Sequence, residues 1–293
     1  MKLAIIILNY KKYDYTINCI NSILKFKKSF YIFVIDNNSN NNSLENIKKE
    51  FSFFNPSILD YNEVNNENFI FRNLNLIQSS TNLGYAKGNN LGIELCKKGN
   101  FDYIAVLNND ILLVDDIFTK MISFINKNIS NDFKLFGPLL EHPDGTIDYN
   151  CAKKTLTFID LIAMTPIGFF IKRSFNYFFG FKQQNTSFFK NTLKKEVDII
   201  SGSFMLFRRD LFNEIDGFDP NTFLYFEEPI LCSAIKEKQY KVLFLPDFKA
   251  IHHHGATTSS ISRVFQLQET RKSMNYYVKN YSKINKIQLS LIN

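Results

Sequence analysis

The 293-residue sequence has no tryptophan, seven prolines, four histidines and four cysteines. The cysteines (Cys19, Cys96, Cys151, Cys232) are scattered and form no Cys-x-x-Cys pair. That excludes a zinc ribbon or a disulfide framework and points to a reducing compartment. Long uncharged runs are also missing. The most apolar stretch, Thr157 to Phe181, is broken by Asp160, Pro166, Gly168 and Lys172, leaving nothing long enough to span a bilayer. The opening M-K-L-A-I-I-I-L-N-Y breaks at Asn9-Tyr10 without a small-residue cleavage site, so it reads as a first strand and not as a signal peptide. The sequence lacks both the Walker lysine-serine pair and a full G-x-G-x-x-G, so neither standard phosphate cradle is present. Lysines and arginines are spread over the chain and stripe no single element, which argues against a nucleic-acid binder.

What is present is a globular composition: 45% hydrophobic and 15% aromatic residues, with 31 Phe and 14 Tyr. A chain of this length can bury one large core or two closely packed ones. The formal net charge of +7 favours anionic partners such as nucleotides or phospholipid surfaces.

Apolar runs suited to buried parallel strands occur at Leu3 to Leu8, Tyr31 to Ile35, Leu74 to Gln78 and Tyr103 to Leu107. Between the first two lies a helical pattern, with Asp14 placed to cap it and Ile17, Ile20 and Leu24 on one face. The βαβ opening predicts an α/β fold with a mostly parallel central sheet and ligands near the C-terminal strand ends. Phe51 to Phe71 reads as an Asn-rich insertion loop. Phe204 to Phe207 and Lys241 to Leu245 read as later strands, and the basic tail from Ser259 as a surface helix.

Each of the first four strands runs into a polar cluster: Asn9-Tyr10, Asp36-Asn37-Asn38, Asn82 to Asn90, and Asn108-Asn109-Asp110. Parallel topology brings these clusters to one sheet edge. A carboxylate after a buried strand, such as Asp36, can accept from a nucleobase N–H or a ribose hydroxyl. Gly84 lets backbone approach a ligand, and Lys87 can reach a phosphate. Asp110 suits a hard divalent cation, Mn2+ or Mg2+, shared with a diphosphate that supplies the remaining oxygens. Three consecutive histidines, 252–254, alternate in direction on an extended segment, so at most two can face one site. Glu227 and Glu228 are adjacent carboxylates in an apolar run, where an ionised group must be paired or used. Because Pro229 favours the first helical position, Glu228 is expected at a helix N-cap, where its anion is stabilised.

In order along the chain, I-I-I-L-N-Y, V-I-D-N-N-S, N-L-G-Y-A-K-G-N-N-L-G, L-N-N-D, V-D-I-I-S-G-S-F-M-L-F-R-R-D-L-F-N-E-I-D-G-F-D, F-L-Y-F-E-E and V-L-F-L-P-D-F-K-A-I-H-H-H-G resemble the family 2 glycosyltransferases, bacterial rhamnosyltransferase-like branch. The resemblance implies a GT-A fold. Residues 1–130 then form the nucleotide-sugar-binding part, 131–258 the acceptor-binding and catalytic-base part, and 259–293 a basic tail. It implies an inverting, metal-dependent enzyme that moves a sugar such as rhamnose from a nucleoside-diphosphate donor to a hydroxyl of a lipid-linked surface glycan. Glu228 takes the place of the family's catalytic Asp, with Glu227 orienting a substrate. Asn9, Tyr10, Asp36, Gly84, Lys87, Asn89, Asn108 and Asn109 face the donor, and Asp110 with His252 holds the metal. Ile230 departs from the family pattern, which has a later Asp. That leaves open a second reading, a non-catalytic nucleotide-sugar-binding or scaffold homologue. The expected location is cytoplasmic, at the inner face of the membrane, with the apolar segment and the tail touching lipid.

Overall fold

The computed structural model describes residues 2–26, 30–61, 69–165, 194–253 and 262–282. His254, the 166–181 part of the apolar segment, and the tail at 259–261 and 283–293 lie outside them. The apolar runs form strands buried on both faces, as expected where helices cover a parallel sheet. In chain order the elements begin β1 (Leu3–Asn9), α1 (Tyr13–Leu24), β2 (Tyr31–Asp36), α2 (Ser43–Glu50), β3 (Ile58–Asp60), β4 (Leu74–Gln78), α3 (Gly84–Lys98) and β5 (Tyr103–Asn108). They continue with β6 (Ile111–Leu112), α4 (Ile117–Asn128), β7 (Phe133–Glu141), β8 (Ala152–Lys153), α5 (Phe158–Ala163), β9 (Lys195–Val197), β10 (Ile199–Ile200) and β11 (Phe204–Arg208). The last three are α6 (Glu227–Glu237), β12 (Lys241–His252) and α7 (Arg263–Asn280).

The main sheet has the order β3-β4-β2-β1-β5-β11-β7-β12-β6, with β9 also on β12. β3, β4, β2, β1 and β5 run parallel, and β11 enters antiparallel between β5 and β7. Ile5, Ile6 and Ile7 of β1 are fully buried at the centre. Register places Asn9 beside Asp36, Asp36 beside Gln78 and Leu8 beside Asn108, so the polar strand ends share one edge.

Three local expectations are corrected. Asp14 lies in the first turn of α1 and does not cap it; the helix starts at Tyr13 and buries Thr16, Cys19, Ile20 and Ile23. The Asn-rich insertion contains β3, which adds to the outer edge of β4. β12 continues past Leu245 to His252 because Pro246, which cannot donate to a ladder, sits within a register shift between Leu245 and Lys249. The surface helix expected in the tail is α7, and one of its faces is docked. Met274, Tyr277 and Val278 bury against Leu161, Phe226 and Ile230.

Buried polar side chains tie the strand ends together. Asn9 Nδ2 donates to Asp36 Oδ1 (2.6 Å) and Ser39 Oγ (3.2 Å), while Asn9 Oδ1 accepts from Thr16 Oγ1 (2.7 Å). Asn109 Nδ2 donates to Thr16 Oγ1 (3.1 Å) and to the Lys12 carbonyl (3.2 Å). Asp36 also accepts from Ser39 N–H (2.9 Å), Ser39 Oγ (2.5 Å) and Gln78 Nε2 (3.1 Å). Buried polar groups are tolerated when paired like this, and leaving one unpaired is costly. Asn9→Ala is therefore expected to destabilise the chain by about 1–3 kcal/mol, read from urea unfolding; an unchanged midpoint would refute a structural role for the amide.

Candidate active site

At the edge where the parallel strands end lies a cleft of about 700 Å³. Tyr10, Gly84, Asn108, Asn109, Asp110, Glu227, Glu228 and His252 line it. Asn9, Asp36, Lys87 and Asn89 are not among its walls. Asn9 and Asp36 sit just beneath it in the polar row, Asn89 is fully buried in α3, and Lys87 is exposed on the same helix. The structure thus brings the β5 cluster, the glutamate pair and one histidine to a single space. Asn9, Asp36 and Asn89 are buried outside the cleft lining, and Lys87 faces solvent.

Asp110 follows β5, and β6 then pairs with the end of β12, setting Ile111 opposite His252. His252 Nε2 stands 3.4 Å from Asp110 Oδ1, and its Nδ1 stands 3.0 Å from Asp148 Oδ2. All three side chains are buried. Burial pulls the His252 pKa down, but the flanking carboxylates Asp110 and Asp148 outweigh it and raise it to about 9. Alternation along β12 turns the next residue away, and the His253 ring meets Tyr15 edge-on at 5.9 Å.

Asp110 Oδ1 is buried and makes no hydrogen bond. A hard cation suits such an oxygen beside an imidazole nitrogen, with diphosphate and water filling the other positions. Among the described residues no cluster of three or more His, Cys, Asp or Glu is arranged to hold a metal by itself. The donor set therefore fits a cation shared with its ligand, not a closed structural site. An imidazole ligand must be neutral, so a cation on Nε2 displaces the proton there.

The glutamate pair sits in the first turn of α6. The expectation that Glu228 is the N-cap is corrected: Phe226 caps, Glu227 and Glu228 are the first two helical residues, and Pro229 is the third. The first four amides of a helix have no intrahelical acceptor, so a proline is tolerated there. Glu228 keeps the favourable field of the helix N-terminus. Its Oε1 accepts the Gly202 N–H at 3.1 Å, which seats the extra methylene of a Glu. Glu227 is buried, and its Oε1 has no hydrogen-bond partner. Burial, and then the neighbouring Glu228, push its pKa well above the ordinary carboxylate value. Ile230 is part of the apolar cluster with Phe226 and Tyr277.

Several contacts that shape the site escape a reading of the chain alone. Asn37 clamps the β2 end to α3: it donates to the Asn82 side chain (2.9 Å) and the Gly84 carbonyl (3.0 Å) and accepts from Leu83 N–H (2.9 Å). Tyr85 Oη donates to the Gly202 carbonyl at 2.6 Å. A Cβ on Gly202 would stand 2.9 Å from both Glu228 Oε1 and Tyr85 Oη, so a side chain there would push one of these tips aside. Gly84, at φ +77°, packs so closely on residue 223 that a Cβ would fall 2.2 Å from the Phe223 carbonyl oxygen. Tyr225 and Phe226 both hold left-handed φ (73° and 66°), a conformation that costs about 1–3 kcal/mol each. α7 holds them in place. Tyr225 Oη donates to Gln266 (3.2 Å), Ser273 Oγ donates to the Leu224 carbonyl (2.9 Å), and Phe226 packs on Tyr277 at 5.6 Å. Asp148 is the other omission. Nothing in E-H-P-D-G-T-I-D-Y-N separates it from ordinary turn aspartates.

A nucleotide-type α/β sheet with polar strand ends, an Asp–His pair and a helix-borne carboxylate in one cleft has the architecture of GT-A glycosyltransferases. The description "Glycosyltransferase like family 2" matches residues 69–275, and "Glycosyl transferase family 2" matches residues 4–132. The chain belongs to glycosyltransferase family 2. It is similar to rhamnosyltransferase WbbL of Escherichia coli K12 (27% identity over 188 residues, 62% of this chain and 66% of that protein). It is also similar to N-acetylglucosaminyl-diphospho-decaprenol L-rhamnosyltransferase of Mycobacterium tuberculosis (26% over 122 residues, 42% of this chain and 38% of that protein). The matches thus span just under two thirds and well under half of these relatives' lengths.

In fold the chain resembles S. aureus TarS 1-349 in complex with UDP-GlcNAc (TM-score 0.55, 15% identity, 100% of this chain and 70% of that one). It also resembles the mannosyltransferase PcManGT from Pyrobaculum calidifontis in complex with GDP-Man and Mn2+ (TM-score 0.58, 11% identity, 99% and 68%).

The buried Glu227 carries a stability cost with a definite sign. Its folded pKa lies above its ordinary 4.5, so the cost is absent below that pH and grows as pH rises toward the folded value. Glu227→Gln should raise Tm at pH 7–8, by roughly 2–4 °C for each kcal/mol relieved, and the gain should vanish near pH 4.5. A gain independent of pH would show that ionisation of Glu227 is not its source.

Proposed function

We propose that the chain is an inverting glycosyltransferase that moves a sugar, rhamnose being the leading candidate, from a nucleoside-diphosphate donor to an acceptor hydroxyl. The observation that carries this reading is that Glu228 and the Asp110–His252 pair line the same cleft. Glu228 is half-buried at a helix N-terminus and fixed by one backbone amide, so it is held oriented while its second oxygen is left to take a proton. It takes the proton of the acceptor hydroxyl as that oxygen attacks the anomeric carbon, from the face opposite the leaving diphosphate. One displacement inverts the configuration. Asp110 and His252 would hold a divalent cation, Mn2+ or Mg2+, whose charge offsets the charge building on the diphosphate. Glu227, whose pKa burial and its neighbour push well above the ordinary carboxylate value, lines the cleft within reach of a sugar hydroxyl. Tyr10, Gly84, Asn108 and Asn109 form the donor-side wall. Asn9, Asp36, Lys87 and Asn89 act behind or beside it.

The names of the rhamnosyltransferase relatives support the sugar, and the decaprenol-linked substrate named for one of them supports a lipid-linked acceptor. No described helix is long and apolar enough to cross a membrane. The cleft rim offers a peripheral alternative at the inner membrane face. Met164 lines the cleft and is 49% exposed, and Phe265 packs edge-on against cleft residue Phe223. Val264 and Leu267, 66% and 63% exposed, stand beside them on the first turns of α7 with exposed Arg263 and Arg271. Apolar insertion beside cations is how a peripheral protein sits on anionic lipid.

Two experiments test these readings. Nucleoside-diphosphate release is measured over a panel of nucleotide sugars with Mn2+ present. Glu228→Gln is expected to lower turnover about 10²–10⁴-fold while donor binding is kept. Wild-type turnover in that variant would remove Glu228 as the base, and no release with any donor would favour a non-catalytic binding protein. Co-sedimentation with anionic vesicles at low salt should be lost in Val264→Glu/Leu267→Glu, two exposed positions; a wild-type chain that stays in the supernatant disproves the lipid contact.

A further inference from the structure

We propose that Lys153 is the anion-reading residue of the acceptor subsite and takes the phosphate through which an acceptor sugar is joined to its lipid. The inference rests on the reading above, in which Glu228 deprotonates the acceptor hydroxyl. It adds a residue that neither the sequence motifs nor the catalytic roles so far have claimed.

Asp110, Asp148, Glu227 and Glu228 line the cleft, and among the described residues around it Lys153 is the one lysine or arginine. It is half-buried, and its Nζ makes no hydrogen bond or ion pair with any described residue. The neighbouring Lys154, by contrast, reaches Asp198 at 3.9 Å. A half-buried ammonium has given up part of its water, and an anion brought by a ligand compensates that loss.

The direction of the side chain follows from β8. Lys153 stands directly opposite Ile199 of β10, and Ala152 opposite Ile200. Residues directly opposite in an antiparallel pair share a face. Ile200 points at the main sheet, where it fills the space that a Cβ on Gly137 would take. Ile199 and Lys153 therefore face away from that sheet, and both line the cleft.

The same ribbon orders the cleft wall. From Ile199, at most about 10 Å of chain leads to Gly202, whose amide holds Glu228. In the other direction Lys153 is followed by Leu156 and Met164, both cleft residues, and Leu156 packs on the apolar cluster that contains Tyr277 of α7. Base, ammonium and apolar rim thus follow one another. A lipid-linked sugar has the same order: hydroxyl, ring, phosphate, hydrocarbon. With the hydroxyl at Glu228, the phosphate falls to Lys153 and the hydrocarbon to Met164 and the exposed side chains of α7. The donor diphosphate has its own charge partner in the cation at Asp110 and His252, which leaves the ammonium for a second anion.

The test reads binding to the full chain by calorimetry with three kinds of probe. Farnesyl diphosphate stands for a lipid-linked phosphate and is titrated without divalent cation, so that it is not drawn to Asp110 and His252. Farnesol is its uncharged control, and UDP and dTDP with Mn2+ stand for the donor's leaving group. Wild type should bind farnesyl diphosphate more tightly than farnesol. Lys153→Gln should weaken farnesyl diphosphate about 10-fold or more and leave farnesol and the nucleoside diphosphates unchanged. Lys153→Arg, which restores the charge, should keep the affinity and so separates loss of charge from loss of fold. Neither variant disturbs β8, whose pairing uses backbone groups such as the Asp198 N–H on the Lys153 carbonyl (3.1 Å).

Farnesyl diphosphate bound equally by wild type and Lys153→Gln, or not bound by wild type, overturns the proposal. A fall in nucleoside-diphosphate affinity in Lys153→Gln assigns the ammonium to the donor and also overturns it. Co-sedimentation with anionic vesicles should be unchanged in Lys153→Gln; its loss would place Lys153 among cations that meet lipid headgroups and again overturn the acceptor role. If neither UDP nor dTDP binds to wild type, the donor reading fails alone, and the farnesyl diphosphate comparison still decides the role of Lys153.

Discussion

The reactive edge of this molecule depends on a row of buried hydrogen bonds that runs from Gln78 through Asp36, Asn9 and Thr16 to Asn109. Four parallel strands end there, and their apolar interiors alone would not fix where the ends lie relative to one another. Burial fixes which face of a strand is hidden, and a polar group without a partner sets the exact register. Each member of the row can satisfy its bonds only if its neighbours stay in place. Asp110 is placed by the same network, since it follows Asn109 directly.

The second half of the chain is organised around a loop that would not hold its shape unaided. Tyr225 and Phe226 occupy left-handed backbone, and the two glutamates follow them immediately. The conformation survives because it is held from two sides. α3 docks on Phe223 through Gly84, and α7 anchors Leu224, Tyr225 and Phe226. The last helix thus braces the loop that leads into Glu227 and Glu228, which ties the tail to the cleft through packing. Gly202 completes the arrangement, because a side chain there would push the Glu228 or Tyr85 tip aside.

Stability and reactivity pull in opposite directions within this cleft. Glu227 is buried without a full set of partners, and Asp110 and Asp148 crowd one imidazole. Such an arrangement is poor as packing and, on the proposed reading, serves as preorganisation for a charged substrate. The surrounding sheet, with its fully buried isoleucines and phenylalanines, supplies the stability that offsets the cost.

The first five parallel strands were legible in the chain almost to the residue for four of them, because continuous apolar runs ending in Asn and Asp leave little else to form. The short β3 hid in an Asn-rich stretch, where three half-buried residues give no periodic signal. Asp110, Glu228 and His252 were legible as an ordered set of motifs. Their partners were not. Asp148 looks like any turn aspartate, and its contact appears only when β7 and β12 run side by side and bring it to a histidine 104 residues away. The extension of β12 through Pro246 was hidden for a related reason, since a register shift is a property of two strands and not of one. The sequence by itself determined the parallel core strands and the polar clusters at their ends, because burial and turn chemistry are local; strands such as β7 emerged only in the fold. Only the tertiary structure decided which carboxylate faces which nitrogen, how Glu228 is seated and what braces its loop. Those depend on contacts between segments that carry no mark of each other in the chain.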